Sequence, residues 1–296
     1  MDGILNINKP SGKTSYAVVA MVKRLTGEKR VGHAGTLDPL ATGVLPVCLG
    51  QATRLVEYLM DTTKTYRAEI ELGISTDSFD SEGAVTQRCD ASNVTLEKIE
   101  TALHAFRGVI TQLPPMYSAV KHQGKPLYEL ARAGIDVERK SRTAKIFSLE
   151  IKDFQNPILN IVVTCGKGTY IRSLANDLGQ ALGCGATLKN LERSRCSIFD
   201  IADAVTPERF TEACQSGYWQ SLLYPMDSIL TRWETVIVNE EKAQSIRNGA
   251  MISFAENPEL INGSDHCRAY TWDGSLLGIL RFDSEKKQWQ PEKVFN

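Results

Sequence analysis

The alternation of apolar and polar positions predicts both strands and helices along most of the chain. In the run from Lys64 to Leu72 every second residue is apolar, which is the period of a half-buried strand. Other strand-like runs cover residues 4–8, 44–48, 158–165 and 188–196. Apolar residues three and four apart predict helices from Thr14 or Ser15 to Gly27, at 52–59, at 99–106, at 171–182 and after Thr206-Pro207.

The pattern changes at about Trp233, where short strand-like runs are separated by turns. The runs cover residues 235–238, 268–272 and 276–282, and the turns include Asn248-Gly249, Asn262-Gly263 and Asp273-Gly274. We therefore predict two domains, residues 1–232 and 233–296, the second a small β module. This module carries ten acidic and seven basic residues, so it is not expected to attract polyanions by bulk charge.

Composition is that of an ordinary soluble protein. Of 296 residues, 42% are hydrophobic and 23% are charged, and the net charge is −1. No signal-peptide core and no membrane-spanning apolar run is present, so we expect a cytoplasmic protein without membrane association. The seven cysteines form no C-x-x-C pair, which favours reduced thiols over disulfides or a zinc site. No metal site is predicted.

Charge is concentrated in residues 121–145. This segment holds seven basic residues against three acidic ones, Glu129, Asp136 and Glu138. Phosphate binding requires local positive charge and not a high overall charge, so the segment is a candidate nucleic-acid contact. A solvated surface segment explains the same pattern equally well.

A loop at residues 32–43 is the candidate catalytic platform. Its glycines and Pro39 exclude a long regular element, and Pro39 restricts the backbone of Asp38. One carboxylate, Asp38, and one imidazole, His33, therefore lie on a loop of defined shape. An Asx-turn aspartate with a satisfied histidine is the alternative.

A second loop suggests a phosphate-binding site. A predicted strand, Gly12-Lys13-Thr14 and a helix follow one another as in nucleotide-binding P-loops. The pattern also requires a glycine at the position of Ile7, so the backbone cradle would be incomplete. A P-loop enzyme that uses Lys13 remains an alternative function, although a weak one.

Three stretches together resemble the TruB-type pseudouridine synthases, which modify the T loop of tRNA. They are residues 9–15, the loop at 32–43, and the run from Lys167 to Arg172. The resemblance extends from Gly3 to about Arg232. It implies an α+β fold with a mixed, largely antiparallel sheet flanked by helices, an RNA-gripping insertion at about 114–145, and a C-terminal PUA-like β barrel. It also implies isomerisation of the uridine at tRNA position 55.

The resemblance assigns catalytic roles to four residues: Asp38 as nucleophile or base, Tyr66 stacked on the flipped uracil, Arg172 orienting Asp38, and Asp80 supporting Arg172. It assigns substrate binding to His33, Tyr170, Leu191, Lys9, Lys121 and Arg193. The expected partner is the T arm of tRNA, bound by a monomer. Because the isomerisation has no net redox or transfer step, no cofactor is expected.

Two points stay open at this level. The family usually shows Gly-Ala-His-Leu and then Leu-Arg-Arg, whereas this chain has Thr187 in place of the histidine and Glu192 in place of the first arginine. The chemical route is also open between attack at C1′ of the sugar, a glycal formed by loss of the C2′ proton, and attack at C6 of the base. A non-catalytic tRNA-binding or folding protein on the same fold is the remaining alternative.

Overall fold

A computed structural model describes residues 1–118, 120–135, 137–254 and 265–295. Asp136 of the basic segment and the predicted turn Asn262-Gly263 lie outside the described residues. The chain divides into two units, Gly3–Leu223 and Tyr224–Asn296, whereas the sequence predicted a boundary after residue 232. We describe each unit by itself.

The larger unit contains strands and helices whose bounds follow. The strands are β1 Gly3–Lys9, β2 Val31–His33, β3 Thr42–Leu49, β4 Lys64–Leu72, β5 Ile74–Thr76, β6 Val85–Arg88, β7 Gly108–Gln112, β8 Lys121–His122, β9 Lys125–Pro126, β10 Arg142–Gln155, β11 Ile158–Cys165, β12 Ala186–Cys196 and β13 Phe199–Asp200. The α-helices are α1 Ser15–Thr26, α2 Val56–Met60, α3 Leu96–Leu103, α4 Leu127–Arg132, α5 Ile171–Ala181 and α6 Pro207–Gln215. Short 3₁₀ helices cover Gly50–Leu55, His104–Phe106, Ile201–Asp203 and Trp219–Leu222.

One large sheet organises this unit, with the strand order β1-β3-β12-β4-β11-β10-β7. β2 is added to β3, and β13 is added to β12. Every neighbouring pair is antiparallel except β12 and β3, which run parallel for a short stretch. The predicted mixed, largely antiparallel sheet flanked by helices is therefore confirmed.

The buried face of the sheet follows the period-two pattern of the sequence. Along β4, which has the predicted bounds, Tyr66, Ala68, Ile70 and Leu72 are buried, and the residues between them are exposed or half-buried. The core that they join includes residues from α1, α3, α5 and α6. The sheet face that bears Tyr66 is therefore the inner face.

The helix α1 begins and ends where its sequence predicts. The hydroxyl of Thr14 accepts a hydrogen bond from the Ala17 N–H, which caps the helix start. Gly27 adopts a left-handed backbone, with φ of 72°, and closes the last turn through its N–H to the Lys23 carbonyl. The position of α1 matters for the site because its first residue, Ser15, is hydrogen-bonded to the backbone of Leu37 in the 32–43 loop.

A close backbone approach joins β12 to the start of β3. Gly43 has φ of 102°, and a Cβ atom added to it would lie 2.3 Å from the carbonyl oxygen of Arg193. Only glycine leaves room for this contact. The end of the 32–43 loop is thereby fixed against the strand that carries Leu191 and Arg193.

The smaller unit contains β14 Glu234–Ile237, α7 Glu240–Arg247, β15 His266–Tyr270, β16 Leu276–Asp283, β17 Gln288–Val294 and a 3₁₀ helix at Met226–Leu230. Its strands form one sheet in the order β14-β15-β16-β17, with β14 and β15 parallel. The predicted small C-terminal sheet domain is confirmed. Among the described residues the sheet is open, so the closed PUA-like barrel stays a prediction.

None of the described helices combines the length and the apolar character that crossing a membrane requires.

Candidate active site

The buried ammonium group of Lys9 links the 32–43 loop to the turn at residues 10–13. Its Nζ donates hydrogen bonds to the carbonyl oxygens of Pro10 at 2.9 Å, Lys13 at 2.6 Å and Pro39 at 3.1 Å. Burial lowers the pKa of Lys9 to about 8, while the Asp38 carboxylate works in the opposite direction. The turn at 10–13 presents the carbonyl oxygens of Pro10 and Lys13 to this ammonium, and its Gly12 N–H donates to the Pro39 carbonyl at 2.8 Å, so these groups do not form a phosphate cradle.

Two further contacts fix the backbone on either side of Asp38. The Ser15 hydroxyl accepts from the Leu37 N–H at 2.9 Å, and its oxygen lies 3.1 Å from the Leu37 carbonyl, to which it donates. The Arg193 guanidinium, 1% exposed, donates to the carbonyls of Gly35 at 3.0 Å and Val44 at 2.7 Å. Ser15 and Arg193 thus hold the chain on both sides of Asp38, between β2 and β3. His33, which the sequence placed on the same loop, is instead the last residue of β2.

Asp38 forms an ion pair with Arg172, which lies in the first turn of α5. Nη2 of Arg172 donates to Oδ1 of Asp38 at 3.0 Å, and Nε lies 2.9 Å from Oδ2. The guanidinium also lies 3.3 Å from Oδ2 of Asp80, through Nη1. Arg172 is 3% exposed, so one buried guanidinium balances two carboxylates, of which Asp80 is buried and Asp38 is partly exposed.

Asp80 is held more firmly than Asp38. Its Oδ1 accepts from the Ser78 hydroxyl at 2.6 Å and from the Glu82 N–H at 3.2 Å, and its side chain is 5% exposed. The side chain of Asp38 is 32% exposed and opens towards a cavity. The sequence assignment of two carboxylates around one arginine therefore corresponds to an observed cluster, in which Asp38 faces solvent and Asp80 does not.

Burial raises the pKa of the Asp38 carboxyl above its ordinary value, and the Arg172 guanidinium opposes the shift. Only the ionised carboxylate can act as nucleophile or base, so activity should be lost as the pH falls through this raised pKa. We expect the single-turnover rate to begin to decline at a higher pH than it would with an ordinary aspartate, whose pKa is about 3.9. The measurement is a pH profile at saturating RNA. A rate that is constant down to about pH 4.5 would contradict this assignment.

A cavity of about 250 Å³ adjoins the exposed side of Asp38. Among the predicted site residues, it is lined by Asp38, Tyr66, Tyr170, Arg172, Leu191 and Arg193. These residues come from the 32–43 loop, β4, the start of α5 and β12, so the structure brings together six positions that are distant in sequence. A flat ring between aromatic and aliphatic walls, beside one carboxylate, is the kind of ligand that fits this cavity.

Tyr66 supplies an aromatic wall and not a base. Burial raises its pKa to about 12, so its phenol stays protonated at neutral pH. Burial also raises the pKa of Tyr170. Of these three side chains on the cavity wall, Asp38 is thus the one suited to attack or to take a proton near neutrality.

A second, wider cleft of about 850 Å³ also borders Asp38. His33, Asp80, Tyr128 and Arg132 contribute to its walls. Burial lowers the pKa of His33, and Arg193 adds to the effect, so its imidazole is neutral at pH 7. A neutral ring at the edge of the cleft is consistent with the predicted positioning role and not with acid catalysis.

The remaining predicted binding residues, Lys9 and Lys121, line neither cleft. Lys9 is fully buried beneath the loop, so the contacts described above give it a structural place. Lys121 is exposed on β8, in the insertion. It lines a separate cleft of about 450 Å³ with other basic residues, His122, Arg139, Lys140 and Arg142. RNA contacts by these residues stay predictions.

Sequence reasoning missed Gln112 and Tyr117. The side chain of Gln112 pairs with the backbone of Tyr170, and the carbonyl of Tyr117 accepts from Nη2 of Arg172 at 2.7 Å. Both lie near the start of the basic insertion. A lone glutamine has no local pattern that marks it, and a carbonyl acceptor is invisible in sequence, so neither gave a signal.

The two departures from the family pattern have different surroundings. Thr187 is 3% exposed, and its hydroxyl lies 3.0 Å from that of Thr76, which donates to the Asp80 carbonyl at 2.8 Å. Glu192 pairs with Arg67 at 3.0 Å on the outer face of the sheet, opposite Tyr66. Neither side chain lines the cavity beside Asp38.

Within the part of the chain that the structure describes, no three His, Cys, Asp or Glu side chains are grouped so that they could hold a metal ion.

Two family models match the chain. The model for the TruB family pseudouridylate synthase N-terminal domain matches residues 23–171, and that for the tRNA pseudouridylate synthase B C-terminal domain matches residues 172–231. The chain belongs to the TruB family of pseudouridylate synthases. Both matches lie before the C-terminal sheet, so they do not test its PUA-like assignment.

Curated relatives extend this likeness over the whole length. The chain is 46% identical over 295 residues to a protein of Dehalococcoides mccartyi named tRNA pseudouridine synthase B, covering 100% of this chain and 97% of the relative. It is 42% identical to the protein of the same name from Clostridium perfringens, with 99% of each chain covered. The relative from Clostridium tetani is 40% identical, with 94% and 95% covered.

Solved structures support the fold. A chain of a Cbf5-Nop10-Gar1 complex matches with a TM-score of 0.76 at 27% identity, covering 99% of this chain and 85% of that chain. A chain of an H/ACA RNP bound to a substrate RNA containing 2′-deoxyuridine matches with a TM-score of 0.74 at 25% identity, with the same coverage.

Proposed function

We propose that this TruB-family chain isomerises a uridine of the tRNA T arm, at position 55, to pseudouridine. The observation that carries the proposal is the Asp38–Arg172–Asp80 cluster at the edge of a cavity lined by Tyr66, Tyr170 and Leu191. The names of the curated relatives support tRNA as the substrate. A cytoplasmic monomer is the state that we expect for the enzyme.

The chemistry follows from the geometry of the cluster. A uridine stacked in an RNA loop must be extruded to reach a cavity of this size, at a cost of a few kcal/mol. Stacking on Tyr66 returns about 1–3 kcal/mol of that cost. Arg172 keeps Asp38 ionised and directs it, so that the carboxylate can attack the nucleoside or take a proton from it. The bond from N1 to C1′ breaks, a bond from C5 to C1′ forms, the C5 hydrogen leaves as a proton, and N1 takes up a proton, so that the product is an isomer of the substrate.

Tritium release from tRNA labelled at C5 of uridine tests this proposal, because C5 loses its hydrogen only when it becomes bonded to the sugar. We expect release from a T-arm stem-loop and none from the same stem-loop with cytidine at the target position. RNA binding without release would favour the alternative of a non-catalytic tRNA-binding protein.

The basic insertion should act as an electrostatic clamp for the RNA backbone. Lys121, Lys140 and Arg142 are exposed around one cleft, and replacing all three by Glu should weaken tRNA binding. The slope of log K against log[salt] should fall in magnitude by roughly 0.7 to 0.9 for each phosphate that the variant no longer neutralises. Arg139 is less suited to this test because its guanidinium donates to the Pro114 carbonyl at 3.0 Å, so its removal would disturb the insertion itself.

The matched control for the clamp reverses three exposed cations outside these clefts, Lys23, Arg24 and Lys29. It changes net charge equally, so it separates a local clamp from general attraction. An equal decrease of the slope in both variants would contradict the clamp.

The smaller unit should add affinity without chemistry, since every proposed catalytic residue lies before Tyr224. A chain ending at Leu223 should isomerise a short T-arm stem-loop in single turnover within about threefold of the full chain. It should bind whole tRNA more weakly. If the shortened chain is folded and binds the stem-loop normally, yet does not isomerise it, the domain assignment is wrong.

A further inference from the structure

The start of α5 is hydrogen-bonded to the segment that leads into the basic insertion. Gln112, the last residue of β7, is 2% exposed. Its side-chain oxygen accepts from the Tyr170 N–H at 3.0 Å, and its side-chain NH₂ donates to the Tyr170 carbonyl at 3.0 Å. One residue further on, the carbonyl of Leu113 accepts from the Ser173 hydroxyl at 2.7 Å. The base of the insertion and the first turn of α5 therefore share three hydrogen bonds.

The insertion also contacts the catalytic arginine directly. Nη2 of Arg172 donates to the Tyr117 carbonyl at 2.7 Å and to Oδ1 of Asp38 at 3.0 Å. The main chain of the insertion and the catalytic carboxylate thus share one nitrogen of the same guanidinium. A displacement of the 112–117 segment would alter the direction of Arg172 and, with it, that of Asp38.

Tyr170 depends on Gln112 because the helix bonds only its carbonyl, which accepts from the Leu174 N–H at 3.0 Å, and leaves its N–H to Gln112. Tyr170 is the residue before α5, it has an extended backbone with φ of −105° and ψ of 109°, and it has no side-chain capping bond. Without Gln112 its N–H would lose its partner inside the fold. An unpaired buried polar group costs about 1–3 kcal/mol, so rearrangement of this residue would be favoured. The Tyr170 ring lines the cavity beside Asp38 and would move with its backbone.

We propose that Gln112 is a positioning residue for the isomerisation. It holds the Tyr170 backbone, and through the first turn of α5 it sets the place of the Tyr170 ring and of Arg172. Gln112 lies where the proposed RNA-binding insertion begins. The hydrogen bonds of Gln112 to Tyr170 therefore couple RNA binding by the insertion to the position of Asp38. This inference rests on the proposed function of the chain.

Two substitutions separate the halves of the Gln112 contact. Gln112→Leu removes both hydrogen bonds, and we expect the single-turnover rate of tritium release to fall about tenfold or more, since catalytic groups tolerate only small displacements. RNA affinity should stay within about threefold of the parent chain. Gln112→Glu keeps the acceptor for the Tyr170 N–H but loses the donor to its carbonyl, so its rate should lie between those of the parent and Gln112→Leu.

The matched control is Asn6→Leu, on β1. Asn6 is 1% exposed, and its side-chain NH₂ donates to the Asp200 carbonyl at 2.8 Å, away from α5. We expect this variant to lose stability but to keep the parent rate within about threefold. If both leucine variants lose rate in proportion to stability, or if Gln112→Leu loses affinity with an unchanged rate, the positioning role is wrong.

A readout without RNA separates this inference from the proposed function. Hydrogen exchange of the Tyr170 amide should accelerate in Gln112→Leu and stay slow in Asn6→Leu, because Gln112 is its acceptor. If the parent chain releases no tritium, the proposed function fails, and unchanged exchange in Gln112→Leu would refute the Gln112 contact as well. An active parent with an unaffected Gln112→Leu variant overturns the inference alone.

Discussion

Replacing Asp38 by Asn should abolish isomerisation while leaving the fold and tRNA binding intact. The amide has nearly the size of the carboxylate and can still accept a hydrogen bond from Arg172, whose Nη2 lies 3.0 Å from Oδ1. It cannot attack the nucleoside or take a proton. We expect the rate to fall by about three orders of magnitude or more, as is usual when a nucleophile or base is removed. Single-turnover tritium release with saturating enzyme measures the chemical step apart from binding.

Asp38→Glu tests position and not charge. One added methylene displaces the carboxylate by more than the tolerance of roughly 0.5 Å for catalytic groups, so this variant should fail nearly as badly. The matched control is Glu82→Gln, which removes the charge of a neighbouring carboxylate. Glu82 contacts Asp80 through its backbone N–H, which the substitution keeps. The central claim fails if Asp38→Asn isomerises uridine within about tenfold of the parent rate.

Replacing Arg172 by Met should destabilise the fold strongly. The change leaves Asp80, 5% exposed, and Asp38 without the cation that both share. Breaking a buried ion pair from one side typically costs about 3–5 kcal/mol, and urea unfolding measures the loss. Part of it should depend on pH. Without the guanidinium the pKa of Asp38 rises further, so its ionised form opposes folding at neutral pH, and that part of the loss should shrink as the pH falls and Asp38 binds a proton.

A second substitution checks this account of Arg172. Asp80→Asn in the Arg172→Met background removes one uncompensated charge, so it should restore part of the lost stability. In the parent background Asp80→Asn should destabilise, because it weakens the pairing with Arg172. The same sign of effect in both backgrounds would show that charge compensation is not what Arg172 supplies.

Local features could be predicted from the sequence where interactions between residues close in the chain determine them. The bounds of β4 follow from strict alternation, and those of α1 follow from the Thr14 cap and from Gly27. The direction of Asp38 is restricted by the adjacent Pro39. The caps of α1 and the Asp38-Pro39 bond involve residues within a few positions of each other, and the alternation along β4 marks its buried face even though its partners β11 and β12 are distant in the chain.

Other features depend on partners that are distant in the chain. β10 has 14 residues and pairs with the edge strand β7, yet its first residues were interpreted as part of a basic surface segment. The Arg193 guanidinium was predicted to bind RNA. In the structure it donates to the carbonyls of Gly35 and Val44, which the pairing of β12 with β3 brings close to it. Gln112 and Tyr170 are 58 residues apart, and only the fold brings them together. Resemblance to a family supplied the Asp38–Arg172 pair, which local patterns could not.

The contact between the hydroxyl groups of Thr187 and Thr76, which holds the backbone of Asp80, does not change its charge with pH. Thr76 bonds the carbonyl of Asp80, and Thr187 stands where the family pattern leads one to expect a histidine. An imidazole changes its charge between about pH 5 and 8, whereas a hydroxyl stays neutral throughout that range. In this chain the hydroxyl contacts that hold the loop of Asp80 are therefore the same at acid and at neutral pH. A change of pH can alter the reaction by protonating the carboxylates, but not by changing the charge of these hydroxyl groups.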